Sequence, residues 1–272
     1  MKKNTISVMI LFLFIAVIAW GAYSVWERGD SIYDKGWDNF EFDGDAGDGS
    51  EYSGGSAELA SEDIKEIELN WPVGDIRVVE HDAGTIIFTE TSGKEIDVDD
   101  QLRYIVKDGK LEIRYSKRDI DPGDFFGGGL EKNLELRIPK SIDAIQTMEI
   151  NTVSSELQVM LEQVRDLKIN TVSGDVDIKG IYEDIECDGV SGNVDMNLSE
   201  APKELEANTV SGEVRLSIPE NQGFEAEHDS ISGDFTCEFA VTSSKNRAVY
   251  KNPVSSFKFN SVSGNVSIIR QN

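Results

Sequence analysis

A row of carboxylate and amide side chains recurs about every 20 residues and is the first candidate for chemistry. Oxygen ligands of this kind are those that Ca²⁺ takes in proteins. The calcium-binding nonapeptide pattern is absent, however, and outward-facing charges are usually solvated. We therefore predict no metal site and no cofactor. The residues of this row are Glu156, Asp175, Asn193, Glu213, Asp234 and Asn265, with Asp177 and Asp195 close by.

Nucleophilic or acid–base catalysis finds little support. His228 falls in a column of inward-facing positions, and His81 follows a strand beside Asp82, where a turn is expected. A serine follows every repeat anchor, which suits a structural role at a corner better than a role as nucleophile. Neither a Gly-x-Ser-x-Gly elbow nor a phosphate-binding loop is present. We predict no catalytic residue.

The two cysteines, Cys187 and Cys237, lie two repeat units apart and in different columns of the repeat. At about 4.8 Å per strand they would be separated by roughly 10 Å or more. A disulfide needs Cα atoms within about 7 Å. We therefore predict two buried free thiols.

These residues are positioned by a repeated phrase, Asn-Thr-Val-Ser-Gly-Asp-Val at residues 170–176. Apolar and polar residues alternate on both sides of each Val or Ile anchor, which is the period of a β-strand. A period near 20 indicates coils that bury their apolar columns by stacking. The sequence predicts an all-β, single-domain parallel β-solenoid (β-helix) with coils of about 20 residues. The anchors are Val153, Val172, Val190, Val210, Ile231 and Val262.

The phrase also predicts a corner between two strands. Glycines such as Gly174, Gly192 and Gly212 suit a corner with positive φ, whereas Ser155 replaces the glycine in the first copy. Short polar side chains two positions before each anchor are expected to cap the corner and to form a hydrogen-bonded ladder along the stack. These side chains are Asn151, Asn170, Asp188, Asn208, Asp229 and Asn260.

The N-terminal part predicts a membrane anchor. Lys2 and Lys3 precede an apolar run from Ile6 to about Trp26, which is long enough to span a bilayer as a helix. The flanking lysines favour a single-pass protein at the cell membrane, N-terminus inside and C-terminal domain extracytoplasmic. A cleaved signal peptide is the alternative. The expected division is an anchor at 1–28, an acidic Gly/Ser-rich disordered linker at 29–60 and a β-solenoid domain at 61–272.

Two segments interrupt the repeat and are candidates for partner contact. The loop at residues 117–132 contains Phe125 and Phe126, which either form an exposed apolar tip for a partner or pack over the solenoid end. The insertion from Glu238 to Ser256 carries Lys245, Arg247 and Lys251. It is either an exposed hairpin or a contact for an anionic envelope polymer. The net charge of -25 argues against nucleic acid.

Residues 61–272 resemble the DUF4097 family, also labelled "putative adhesin". The resemblance is carried by Ile-Lys-Glu-Ile-Glu-Leu-Asn-Trp near residue 64, by Leu-Glu-Leu-Arg-Ile-Pro at 134–139 and by the repeated Val-Ser-Gly phrase. It implies a bacterial β-solenoid with no established catalytic site.

Two functional hypotheses follow, together with a purely architectural stalk. The first is a non-enzymatic, membrane-tethered extracytoplasmic module, adhesin-like or active in envelope stress, with a protein or cell-wall polymer as partner. The second is a polysaccharide-active β-helix enzyme, which would need a cluster of acids and bases on one outer face.

Overall fold

The computed structural model describes residues 51–116, 130–140, 145–244 and 246–271, and every regular element in them is a β-strand. The all-β prediction is confirmed for this part of the chain. The strands are β1 (Ser53–Gly54), β2 (Ala57–Ala60), β3 (Glu66–Asn70), β4 (Ile76–His81), β5 (Thr85–Ser92), β6 (Arg103–Lys107), β7 (Lys110–Arg114), β8 (Lys132–Pro139), β9 (Thr147–Asn151), β10 (Leu157–Thr171), β11 (Val176–Ser191), β12 (Val194–Leu198), β13 (Glu204–Ser211), β14 (Val214–Pro219), β15 (Gly223–Ser230), β16 (Phe235–Cys237), β17 (Thr242–Ser244), β18 (Arg247–Tyr250), β19 (Pro253–Ser263) and β20 (Val266–Gln271).

The strands form one curled sheet with two rows of parallel strands, and each coil adds one strand to each row. The first row contains, in spatial order, β7, β3, β9, the C-terminal halves of β10 and β11, β13, β19 and β15. The second row contains β8, β4, the N-terminal halves of β10 and β11, β12, β14, β20 and β16.

Like residues stack on like in the central coils, as the repeat predicts. Within the second row Leu157 pairs with Val176, which pairs with Val194, and the column continues through Val214 to Val266. All five side chains are buried. Burying apolar area of this kind is the main force holding coils of such short strands together.

The order of the coils at the C-terminal end differs from the order in the chain. The coil anchored at Val262 lies between those of Val210 and Ile231, because β19 pairs with β13 on one side and with β15 on the other. The intervening insertion explains this order. Its strand β18 runs antiparallel to β15 along the outer edge, so the last coil returns on the inner side. Similarly, β3 and β4 lie inside β7 and β8.

A purely parallel solenoid is therefore wrong for the ends of the sheet. At the N-terminal end β7 pairs antiparallel with β6, which pairs with β1, while β8 pairs with β5, which pairs with β2. Because β1 and β2 precede Ser61, ordered structure begins earlier than the expected end of the linker at residue 60. These antiparallel strands cover edges that would otherwise be unpaired.

Three predictions fall outside the described residues. They concern the apolar run at residues 6–26, the linker as far as residue 50 and the Phe125–Phe126 loop. No helix in the described ranges is long and apolar enough to cross a membrane.

Candidate binding surface

The polar side chains before each corner form a hydrogen-bonded ladder, as predicted; we call it the amide ladder. Its order in space is Asn70, Asn151, Asn170, Asp188, Asn208, Asn260. Each amide donates to the preceding rung: Asn151 to Asn70 at 3.1 Å, Asn170 to Asn151 at 2.8 Å, Asn208 to Asp188 at 2.7 Å and Asn260 to Asn208 at 2.6 Å. The predicted member Asp229 instead accepts a bond from Asn246 at 2.7 Å.

The direction of donation is interrupted at Asp188. This carboxylate accepts from Asn208 but has no amide to donate to Asn170, the neighbouring rung. Burial raises the pKa of Asp188 to about 6, and the nearby Glu186 and Glu206 act in the same direction against Lys168 and the bond from Asn208. A neutral group is therefore favoured at this rung.

We expect Asp188→Asn to stabilise the fold by about 2–3 kcal/mol at neutral pH, because it removes a buried charge whose pKa is about two units above the usual 3.8. The folded protein binds this proton more tightly than the unfolded chain. The penalty is therefore present above pH 6 and is lost as the pH falls from about 6 to below 4. Urea unfolding at pH 7 and pH 4 checks this, and a difference between the two proteins that is the same at both pH values would contradict it.

The row of carboxylates and amides that was considered for Ca²⁺ lies on adjacent coils. Its side chains accept hydrogen bonds from the next coil and do not point toward a common centre. The Asp175 carboxylate accepts from the backbone N–H of Asn193 at 2.8 Å, and the Asn193 side chain accepts from the N–H of Glu213 at 3.1 Å. Asp177 pairs with Lys179 at 2.8 Å. Within the described ranges no three His, Cys, Asp or Glu side chains meet as a metal-binding group. The row has a structural role there.

The catalytic candidates also have structural roles. Corner serines donate to the anchor carbonyl of the adjoining coil, as Ser173 does to Val153 at 3.1 Å. His228 is buried in an inward column, as predicted; its Nε2 lies 3.5 Å from Ser261 Oγ, and burial lowers its pKa. His81 ends β4, and its Nε2 lies 2.6 Å from the Thr85 carbonyl.

Both cysteines are free thiols, as predicted, but only Cys187 is fully buried, since Cys237 is half-buried on the last strand of the second row. Burial raises the pKa of each thiol.

The basic insertion is largely neutralised within the chain. Arg247 on β18 pairs with Glu225 on β15, and Lys251 Nζ lies 3.5 Å from the Glu220 carbonyl and 4.7 Å from the centre of the Tyr250 ring. These contacts favour the exposed-hairpin interpretation. Lys245 lies outside the described residues.

The outer surface of the first row is strongly acidic. Its outward positions, apart from the amide ladder, hold twelve acidic residues against four basic ones. The acidic residues are Glu66, Glu68, Glu112, Glu149, Asp166, Asp184, Glu186, Glu204, Glu206, Glu225, Glu227 and Asp229, and the basic ones are Lys110, Arg114, Lys168 and Lys258.

The outer surface of the second row is less acidic than that of the first row. Outward strand positions hold three acidic and four basic residues, namely Glu135, Asp177, Asp195, Arg77, Arg137, Lys179 and Arg215. Between them lie uncharged groups, among them Gln158, Met160, Asn197, Ser217 and Ser267. A shallow groove of about 350 Å³ runs along this surface beside the corner, and its lining adds the carboxylates of Glu156, Asp175 and Glu213. Arg215 pairs there with Glu213 at 3.1 Å and Asp195 at 3.7 Å. We call this surface the second-row face.

The class of protein is set by the repeat and the stacked corners. A model of the DUF4097 family, described as Toastrack DUF4097, matches residues 64–184 and again residues 145–269. These matches cover most of the chain, so the chain belongs to the DUF4097 family. The resemblance drawn from the repeated phrase is thereby confirmed.

Several solved structures are similar to this chain at low identity. One is a "putative cell adhesion protein" from Clostridium sporogenes ATCC 15579, with 14% identity, 81% of this chain and 100% of that chain covered, and a TM-score of 0.47. Another is a "putative adhesin" from Bacteroides fragilis NCTC 9343, with 12% identity, coverage of 79% and 96%, and a TM-score of 0.43. A third, from Parabacteroides distasonis ATCC 8503, is a "putative lipid binding protein", with 14% identity, coverage of 80% and 96%, and a TM-score of 0.36. No curated protein matches the chain.

Proposed function

We propose that this protein is a non-enzymatic, membrane-tethered binding module that contacts an uncharged, hydroxyl-rich polymer of the cell envelope through the second-row face. The observation that carries the proposal is the difference in charge between the two rows. The first row presents twelve acidic residues against four basic ones, while the second-row face, with the three corner carboxylates of its groove included, presents six against four.

This difference selects the class of ligand. An anionic polymer is repelled by the first row and by the net charge of -25. Hydroxyl groups of a neutral glycan can be bound by the second-row face, whose amide and hydroxyl groups both donate and accept and whose guanidinium groups donate. The strands of this row are about 4.8 Å apart, so similar contacts recur along the row. Many weak contacts repeated on one extended ligand give avidity.

The tether is supported by the N-terminal sequence. The apolar run from Ile6 to about Trp26 follows Lys2 and Lys3, which favours an inside N-terminus and an extracytoplasmic repeat domain. An acidic Gly/Ser-rich segment then separates this run from β1, and a segment of that composition extends readily.

A polysaccharide-active enzyme requires an acid and a base held close to an exposed substrate. On the second-row face Asp177 and Asp195 face the cations Lys179 and Arg215. Asp188, whose pKa is raised to about 6, lies buried in the amide ladder and away from this surface. These placements support binding over catalysis.

The proposal is tested with three substitutions on the second-row face, Arg77→Ala, Gln158→Ala and Arg215→Ala, in the full-length protein in lipid nanodiscs. We expect retention on insoluble chitin, an uncharged glycan rich in hydroxyl groups, to fall about tenfold, which corresponds to roughly 1.4 kcal/mol. The thermal midpoint should stay nearly constant, because all three side chains are exposed.

A matched variant on the opposite side makes the same change in charge. It combines Ser256→Ala and Lys258→Ala on β19 with Arg247→Ala on β18, all exposed. Retention should match that of the unsubstituted protein. Equal losses in both variants, or release of sugar fragments from the chitin by the unsubstituted protein, would overturn the proposal.

A further inference from the structure

One end of the second row differs from the other three row ends. In the described residues the first row is continued by β6 at its N-terminal end and by β18 at its C-terminal end, and the second row is continued by β5 at its N-terminal end. At its C-terminal end the second row stops at β16, which pairs with β20 alone in the described part of the chain. β16 is thus an edge strand.

The hydrogen bonds show which groups of β16 face outward. The Asp234 carbonyl accepts from the Val266 N–H at 2.9 Å, and the Glu238 N–H donates to the Ile268 carbonyl at 3.0 Å. In parallel pairing, alternate residues direct their backbone groups to opposite sides of a strand. Thr236 therefore faces β20, and the N–H and C=O groups of Phe235 and Cys237 face away from it.

The apolar column is also incompletely covered at this edge. Phe235 stacks beside Val266, and Cys237 stacks beside Ile268. Val266 and Ile268 are each 1% exposed, whereas Phe235 and Cys237 are only half-buried. Phe235 stacks on His228 with the ring centres 5.5 Å apart. One further strand would bury Phe235 and Cys237 as β20 buries its neighbours.

The charges at the edge select the occupant. Asp234 and Glu238 flank β16, and Asp234 and Glu213 line an open groove of about 460 Å³ at the adjoining corner, together with Asn265. Glu238 accepts from the Arg270 backbone N–H at 3.0 Å, which holds its carboxylate beside the strand. A second copy of this chain would bring the same carboxylates against these, and the segment at residues 29–50 is itself acidic.

We propose that β16 is a docking edge for an extended segment of a partner protein that carries alternating apolar side chains with basic residues at its ends. The segment adds as a strand beside β16, with its backbone bonded to Phe235 and Cys237. Its apolar side chains cover those of the same two residues. Its basic residues lie against Asp234, Glu213 and Glu238. Strand addition of this kind draws affinity from backbone bonds and selectivity from alternate side chains. This site shares Glu213 with the groove of the second-row face, but it does not depend on the proposed function.

The test uses amide hydrogen exchange by NMR on the full-length protein in nanodiscs. The probe is a synthetic nonapeptide of alternating Thr and Val with Lys-Arg at each end. Controls carry Glu at the ends or a central Pro. In the free protein we expect fast exchange at Phe235 and Cys237 and slow exchange at Thr236. The basic peptide should slow the first two, and the control peptides should not.

Asp234→Asn should weaken binding of the basic peptide about two- to fivefold, as loss of one exposed ion pair does. Asp99→Asn, an exposed change at the other end of the molecule, should leave it unchanged. Any of four results would overturn the proposal: slow exchange at Phe235 and Cys237 in the free protein, slowing that depends on protein concentration alone, equal binding of acidic and basic peptides, or no binding at millimolar peptide.

Discussion

Lys132→Met lowers the free energy of unfolding by about 3–5 kcal/mol, the cost expected when one partner of a buried ion pair is removed. The Lys132 side chain is 0% exposed. Its ammonium group donates to Glu90 at 2.8 Å and to the carbonyls of Asp100 and Tyr115 at 2.5 Å each. It also lies 4.2 Å from the centre of the Tyr115 ring. Burial lowers the pKa of Lys132, while Glu90 opposes that shift.

The loss of stability is large because the substitution leaves the buried Glu90 carboxylate without its ammonium partner. Glu90, whose side chain is 5% exposed, would keep a buried charge with only the Leu102 N–H as donor at 3.0 Å. The double variant Lys132→Met/Glu90→Leu removes this charge and should recover much of the loss. Lys110→Met removes a half-exposed partner of Glu68 and should cost at most about 1 kcal/mol. Urea unfolding measures all three, and equal losses for Lys132→Met and Lys110→Met would contradict the account.

Gly192→Ala is the second large effect, with an expected loss of about 3–5 kcal/mol. Gly192 has a φ of 118°, which side chains with a Cβ rarely adopt, and an added Cβ would lie 2.2 Å from the Gly174 carbonyl oxygen. Backbone strain and overpacking each cost about 1–3 kcal/mol. The backbone at Gly192 cannot shift to relieve this clash, because Gly212 of the next coil packs closely on the Gly192 carbonyl.

Gly189→Ala provides the matched control within the same coil. Its φ lies outside the left-handed region, and the nearest atom to an added Cβ is Thr171 Cγ2 at 3.6 Å, an ordinary contact. We expect this change to cost about 1 kcal/mol or less. Thermal unfolding of both variants gives the comparison. Equal losses of stability in Gly192→Ala and Gly189→Ala would contradict the claim that the repeated glycine is needed for close backbone approach at the corners.

The sequence was sufficient to predict the local structure because the repeat places the same residue type on every coil. Alternation gave the strands, Gly174 and its equivalents gave the corners, and Asn170 and its equivalents gave the amide ladder. The order of the coils was not predictable in this way. The repeats around Ile231 and Val262 are alike, so the sequence does not indicate which of these two coils packs against the coil of Val210. That order depends on β18, which lies in an insertion without the repeat.

Lys132 was missed for a related reason. It is aligned with Gly74, in the corner column that glycine or Ser155 fills elsewhere. A lysine at the end of a loop that lacks the repeat resembles an ordinary surface charge. Its buried role depends on Glu90, 42 residues away. The charge difference between the rows could have been predicted from the sequence. It appears when charged residues at outward positions are counted separately for the strands before and after each corner. The edge at β16 was not, because it exists only through the inverted order of the last two coils.

That order is the central claim, and disulfide trapping tests it most directly. In a background with Cys187→Ala and Cys237→Ala, one protein carries Ser211→Cys with Ser263→Cys and another carries Ser211→Cys with Ser232→Cys. The structure pairs Ser211 with Ser263 on adjacent strands, while Ser232 lies one coil further away. A disulfide needs Cα atoms within about 7 Å. We predict rapid oxidation of the first pair and none of the second; oxidation of the second pair alone would contradict the account.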